Sequence, residues 1–251
     1  MPYKRAPIAE AVLDLHVNYR VKPSYRDVEA FCAGLVKQFP HQQRVNALQL
    51  AFQAKAAQEL GAEPELSSNS SATAVGVRAQ NAQNDRVLVV RMNGFSYSHL
   101  APYTEWSVFK EEAQGLWDQF IAAFGPIEVT RSAVRYVNRI MLPNGCELED
   151  YLNLSPRLLK GVPRDIEGYF MQLVMPQPDI DPRCSAVLNT GLEDAASTVE
   201  SLSVLLDIDI FIEHEKPVTL DHGWQSLDKL RGRKNQIFEA AITDKVRRMI
   251  E

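Results

Sequence analysis

Three arginines with regular spacing, Arg131, Arg135 and Arg139, stand in a stretch whose apolar residues alternate along the chain. Residues 127–141 are therefore predicted to form a long β-strand, in which every second side chain points to the same side. The guanidinium groups would line one face, each about 13 Å from the next. Guanidinium groups bind carboxylates and phosphates through paired hydrogen bonds. The row predicts contacts with carboxylates, an anionic ligand or a partner protein.

Two carboxylates with the same alternation, Asp207 and Asp209, lie in a second predicted strand over residues 202–213. The other side of this strand is apolar and consists of Leu206, Ile208, Ile210 and Ile212. Because alternate residues share a face, a catalytic pair is geometrically feasible, with Asp207 or Asp209 as general acid or base.

Charged sides of this kind recur in the predicted strands, and three interpretations stay open for them. The first is a solvated surface, whose ion pairs contribute little to stability. The second is a contact surface for a second subunit. The third is a site for a small anionic molecule, with Arg135 and Arg139 as bidentate donors.

A polar segment over residues 93–103 contains His99 among serine and tyrosine hydroxyls, directly before a predicted helix. The N-terminus of a helix attracts anions, and a Ser–His pair is one element of nucleophilic catalysis. No G-x-S-x-G motif accompanies it, and such polar side chains more often cap helices and turns. We therefore keep His99 as a candidate binding residue with no catalytic role assigned.

A basic run near the C-terminus consists of Lys229, Arg231, Arg233 and Lys234. Such groups carry phosphate contacts in nucleic-acid binding. The run has no interleaved aromatic residues and belongs to an acidic protein with a formal charge of −5. A solvated helix face is the favoured interpretation, and nucleic acid is not the expected partner.

Composition and motifs exclude several classes of protein. The sequence has no P-loop, G-x-G-x-x-G or H-E-x-x-H motif, so neither a cofactor nor a metal is expected. Its three cysteines are far apart, which argues against structural zinc and a disulfide framework and favours a reducing cytoplasm. No apolar run approaches the roughly 18 residues of a membrane helix, so no membrane partner is expected.

The elements that must position these residues suggest an α+β fold. Alternating strands indicate a largely antiparallel sheet, and apolar stripes place helices on one of its faces. The strongest helix opens at Pro102 and stops at Gly125-Pro126. Other predicted elements are strands 7–17, 46–56, 74–79, 86–97, 166–175 and 184–191, helices 24–39, 147–154 and 225–251, and a loop over 61–72. Residues 1–142 and 143–251 are predicted to be two similar halves, or one continuous domain.

Four segments together resemble a sporadically distributed family of uncharacterised prokaryotic proteins of about this length. The segments are Ala6–Leu15, Phe95–Trp106 with the following helix, Val134–Ile140 and Phe238–Asp244. The resemblance covers nearly the whole chain. It implies a bacterial intracellular protein whose parts belong to one unit, and it implies no activity.

These observations favour a non-catalytic cytoplasmic protein that forms a homodimer and binds a partner or ligand through the charged sheet face. The alternative is an enzyme acting on a phosphate- or carboxylate-bearing small molecule. In that alternative Arg135 and Arg139 would bind the anion, and Asp207 or Asp209 would transfer the proton.

Overall fold

The computed structural model describes residues 3–46, 74–156, 167–193, 196–198 and 200–251. In these residues, nine strands form a single antiparallel sheet, and four helices accompany it. The helices pack on one face, which confirms the predicted α+β arrangement. The strand predicted over 46–56 lies outside the described residues beyond Asn46, and so does the loop predicted over 61–72.

The strands are β1 (Ile8–Tyr19), β2 (His41–Asn46), β3 (Ala74–Gln80), β4 (Arg86–Arg91), β5 (Gly94–Leu100), β6 (Pro126–Pro143), β7 (Phe170–Pro176), β8 (Cys184–Leu192) and β9 (Ser201–Val218). The helices are α1 (Tyr25–Gly34), α2 (Trp106–Phe124), α3 (Leu220–Ala241) and α4 (Asp244–Ile250). A short 3₁₀ turn occupies Leu148–Asp150, where the sequence predicts a helix over 147–154. None of the described helices is both long and apolar enough to cross a bilayer.

The order of the strands repeats on the two sides of the sheet's centre. Strands β1 and β6 pair there, flanked by β5, β4 and β3 on one side and by β9, β8 and β7 on the other. In residues 1–142 the first strand, β1, pairs with the last, β6, whereas in residues 143–251 β7 pairs with β8, and the prediction of two similar halves stays a prediction. Because β6 runs to Pro143, the pairing continues across position 142, and the division at 142/143 stays a prediction.

The helix-covered face of the sheet is apolar because every second residue of the central strands is buried. Helix α2 lays aromatic rings on it: Trp117 lies 5.4 Å from Phe95 and stacks on Trp224 of α3 at 5.9 Å. Each such buried side chain contributes roughly 1.5–3 kcal/mol. Helix α3 lies close to β6 at Gly223, where an added Cβ would meet the side chain of Val129 at 2.5 Å.

Two boundaries differ from the sequence prediction, and both have local causes. Residues 86–97, predicted as one strand, form a hairpin that turns between Arg91 and Gly94. Gly94 allows the close pairing with β1, because an added Cβ would lie 2.5 Å from the carbonyl oxygen of Leu15. Helix α1 begins at the predicted Ser24 capping box but ends at Gly34, well before Pro40.

Candidate functional site

The sheet face opposite the helices carries the predicted arginine row and the predicted carboxylates together. We call it the charged sheet face and define it by Asp14, Arg91, Arg131, Arg135, Arg139, Asp207, Asp209 and Glu213. Strands β6 and β9 lie side by side, with Arg131 opposite Glu213 and Arg135 opposite Asp209. The arginine row thus runs along a row of carboxylates.

At one end of this face, Asp14 of β1 holds two guanidinium groups. It accepts hydrogen bonds from Arg91 and, at 2.9 Å, from Arg131. Burial acts to raise the pKa of Asp14, but Arg91, His16 and Arg131 outweigh it and hold that pKa well below its usual range. Asp14 is therefore a permanent anion that fixes the position of Arg131.

In the middle of the face, Arg135 and Asp207 form a two-point pair. Arg135 donates from Nε and from Nη2 to the two oxygens of Asp207, both at 2.8 Å. Asp207 is only 2% exposed and accepts a further hydrogen bond from Asn189 at 3.1 Å. Burial acts to lower the pKa of Arg135, but Asp207 outweighs it and raises that pKa. The pair is fixed in both geometry and charge.

Asp209 is the carboxylate that this arrangement leaves without a hydrogen bond from any described residue. Its nearest cation is Arg131, whose Nη2 lies 3.7 Å away. Burial raises the pKa of Asp209 to about 6, against the opposing charges of Arg131 and Arg135. Burial thus brings the pKa of Asp209 close to neutral pH.

Arg139, the last arginine of the row, lies where the face becomes exposed. It donates two hydrogen bonds, of 2.6 and 2.7 Å, to Glu193 just after β8. Its side chain is 44% exposed, against 16% for Arg131. The predicted row is thus real, and each member pairs with a carboxylate of the chain itself.

His99 lies away from this face, on the helix side of β5, and its own side chain is fully buried. Its Nε2 donates to Glu112 at 2.7 Å, and Glu112 also accepts from Tyr97 and Arg86. Burial lowers the pKa of His99, so its ring is neutral at pH 7. Its Nδ1 then carries no proton and can only accept a hydrogen bond, and it is buried with no partner among the residues that the structure describes.

A surface cavity of about 370 Å³ adjoins Glu112. Its lining residues include Gln38, Phe39, Asn81, Arg86 and Tyr97. No residue of the charged sheet face is among them, so this cavity and the arginine row are separate features.

The basic run of α3, which the sequence analysis interpreted as a solvated helix face, includes one buried lysine. Lys234, predicted to be solvated, is only 7% exposed, and its Nζ lies 3.7 Å from the ring centre of Tyr136. Arg231, one turn earlier, lies over the ring of Trp106. We call Tyr103, Trp106, Tyr136, Arg231 and Lys234 the lysine cluster. The available signal was spacing, because position 234 lies four residues from both Leu230 and Phe238 of the apolar stripe.

Metal ligands do not gather within the ranges that the structure describes, where no group of three or more His, Cys, Asp or Glu side chains could hold an ion. A scan against protein-family models finds no match to this chain, and a search of curated proteins finds none either. The function of this chain is therefore inferred from the geometry of the charged sheet face and of the lysine cluster.

Proposed function

We propose that this protein is a non-catalytic binding protein and that its charged sheet face docks against the same face of a second copy. The observation that carries the proposal is the pair of rows on β6 and β9, arginines beside carboxylates, on a face that none of the four described helices covers. A surface with adjacent rows of opposite sign is complementary to itself across a twofold axis.

The charge balance of the face supports a protein partner over a polyanion. Its four arginines stand against four carboxylates, Asp14, Asp207, Asp209 and Glu213. Nucleic-acid binding needs an excess of positive charge, which this face lacks. Asp209 adds an acceptor without a hydrogen bond from the described residues, which a guanidinium group of the second copy would satisfy.

The dimensions of the face fit a standard interface. Nine strands make a surface about 40 Å wide, and even the shortest strands, of six residues, give it a height of about 20 Å. The resulting area is close to the roughly 800 Å² per partner that stable complexes bury. Apolar side chains between the charges, such as Val137 between Arg135 and Arg139, would supply the hydrophobic contacts.

Val137→Lys tests this proposal at an apolar position of the face. Val137 is half-buried on the open side of β6, opposite Asp207, so circular dichroism of the variant must first show the wild-type fold. A face-to-face dimer would bury the charge of the added lysine. The matched control is Val108→Lys, which changes an exposed valine on α2. Sedimentation equilibrium should give twice the 28.3 kDa chain mass for the wild type and the control, and 28.3 kDa for Val137→Lys. A monomeric wild type at about 100 μM, or an equally dimeric Val137→Lys, would refute the proposal.

An enzyme acting on a small anion is the second candidate, favoured by Asp209. A carboxyl group that titrates near pH 6 beside a guanidinium group is suited to general acid–base catalysis. The discriminating measurement is thermal unfolding with inorganic phosphate. Stabilisation that disappears in Arg135→Ala, in a protein that stays monomeric, would favour the enzyme over the dimer.

A further inference from the structure

Two basic residues of α3, the half-buried Arg231 and the buried Lys234, have no carboxylate partner among the described residues, unlike the arginines of the charged sheet face. Neither forms an ion pair or a hydrogen bond with any residue in the described ranges. Arg233, which lies between them in sequence, pairs with Asp179. Arg231 and Lys234 are three residues apart, so they share one face of the helix. That face carries positive charge that the described residues do not neutralise.

Aromatic rings and hydroxyl groups enclose these two cations. Lys234 lies over Tyr136, whose hydroxyl group is 3.2 Å from the hydroxyl group of Tyr103. The guanidinium carbon of Arg231 lies 5.8 Å from the ring centre of Trp106. Tyr103 and Arg231 are half-buried, so the cluster reaches the surface between them, with the lysine amine beneath.

The chemistry of Lys234 follows from this enclosure. Burial and, to a smaller extent, the charge of Arg231 lower the pKa of Lys234 to about 7, against the opposing effect of Glu239. An ordinary lysine is almost wholly protonated at pH 7, whereas this one has a large share of free amine. A desolvated free amine beside another cation is the typical environment of a lysine that attacks carbonyl groups.

We propose that the lysine cluster binds a small 2-oxo acid and that Lys234 forms an imine with its carbonyl carbon. Arg231 holds the carboxylate of that acid through paired hydrogen bonds. The lysine nitrogen attacks the carbonyl carbon and a C–N bond forms. The C–O bond then breaks, and the oxygen leaves as water with the two hydrogens that the amine nitrogen loses. We assign the relay of these protons to the hydroxyl groups of Tyr136 and Tyr103, which lie 3.2 Å apart.

The first test is reductive trapping of the wild-type protein with pyruvate and sodium cyanoborohydride at pH 7, followed by peptide mass spectrometry. Lys110 is an internal control, because it also lies over an indole ring, that of Trp224, but pairs with Asp228. We expect Lys234 to be labelled at least about tenfold faster than Lys110, because a larger share of its amine is unprotonated. Equal labelling of the two lysines would overturn the proposal.

The second test separates recognition of the carboxylate from simple exposure of the amine. Arg231→Ala should lower the labelling of Lys234 by pyruvate about tenfold and leave labelling by neutral acetone at least as fast. The matched control Arg233→Ala, which removes the contacts of that arginine with Asp179 and Gln177 and none with the lysine cluster, should label as the wild type does. An unchanged pyruvate rate in Arg231→Ala would overturn the binding role of Arg231. Labelling measured in monomeric Val137→Lys keeps this result separate from the fate of the proposed dimer.

Discussion

On the charged sheet face, Arg131, Arg135 and Arg139 each contact a carboxylate, whereas Arg231 and Lys234 of the lysine cluster contact none among the described residues. The two regions lie on opposite faces of β6, which contributes Arg135 to one and Tyr136 to the other. Pairs of opposite charge hold their own geometry, since each carboxylate replaces part of the water that its cation loses. A buried cation without such a partner costs free energy and is available to a ligand.

The two regions are suited to different functions. Paired charges present a fixed pattern, which is suited to recognising a surface that carries the complementary pattern. Unpaired buried groups, in contrast, have altered protonation, which is suited to chemistry or to ligand binding. Removing a paired charge from the charged sheet face should therefore lower the stability of the fold, whereas removing the unpaired charge of the lysine cluster should raise it.

The largest expected effect is loss of the central pair. Asp207→Ala removes the acceptor of both hydrogen bonds from Arg135 and of the one from the side-chain amide of Asn189. The free energy of unfolding should therefore fall by about 3 kcal/mol. Glu193→Ala is the matched control, and it should cost less than about 1 kcal/mol because Arg139 is already well exposed. Urea unfolding at pH 7 measures both values. Equal costs would contradict the distinction between the fixed centre of the face and its exposed edge.

The next effect is a gain in unfolding free energy as the pH rises, and it comes from the lysine cluster. With a folded pKa of about 7 against an ordinary 10.5, Lys234 takes up a proton less readily in the folded state. The stability that the neutral amine contributes is present above the unfolded pKa and is lost as the pH falls through 7. Wild-type unfolding free energy should therefore rise by about 3 kcal/mol from pH 7 to pH 10 on account of this group.

In Lys234→Met that rise should be absent, and the variant should be more stable than the wild type at pH 7. Methionine fills a similar volume with no charge to bury, so the apolar face of α3 becomes continuous. Chemical unfolding at pH 7 and pH 10, with Lys110→Met as control, measures the difference. A Lys234→Met protein that loses stability at pH 7 would indicate that Lys234 has a structural partner.

The smallest effect concerns Asp209 of the charged sheet face. Burial raises the pKa of this carboxyl group to about 6. Its folded pKa is raised, so the stability it contributes is fully present below pH 4 and is lost as the pH rises through 6. Between pH 5 and pH 7 the wild type should lose about 1.4 kcal/mol through this group. Asp209→Asn should remove that loss, as urea unfolding at the two pH values would reveal. A slope unchanged by the substitution would mean that Asp209 keeps its ordinary pKa.

The alternation within single strands made much of the charged sheet face predictable. In β6 and β9 the period of two residues assigned Arg135 and Tyr136 to opposite faces of the sheet, and likewise Asp207 and Ile208. The structure has Tyr136 and Ile208 on the buried face. The partners were not predictable in the same way. Register sets Arg135 opposite Asp209, but its side chain reaches diagonally to Asp207, which is a property of side-chain conformation.

The helical region was harder to predict, because a charged residue on a helix is usually solvated. Lys234 occupies a position of the apolar stripe in α3, yet its burial depends on β6 bringing Tyr136 beneath it. His99 was singled out for its polar neighbours along the chain. Its actual partner is Glu112 of α2, thirteen residues later, because β5 continues to Leu100, beyond residue 97 where the predicted strand ends.

The sequence by itself determined the two-sided strands, the aromatic helix α2 and the α+β class, because hydrophobic periodicity is a local property of the chain. Only the tertiary structure decided which charges are paired, since a carboxylate reaches a guanidinium group from a strand or helix distant in sequence. The same assembly left Lys234 beneath the surface without a carboxylate among the described residues. Burial and pairing are consequences of how elements pack, so packing separates the paired charges of this chain from the unpaired amine of Lys234.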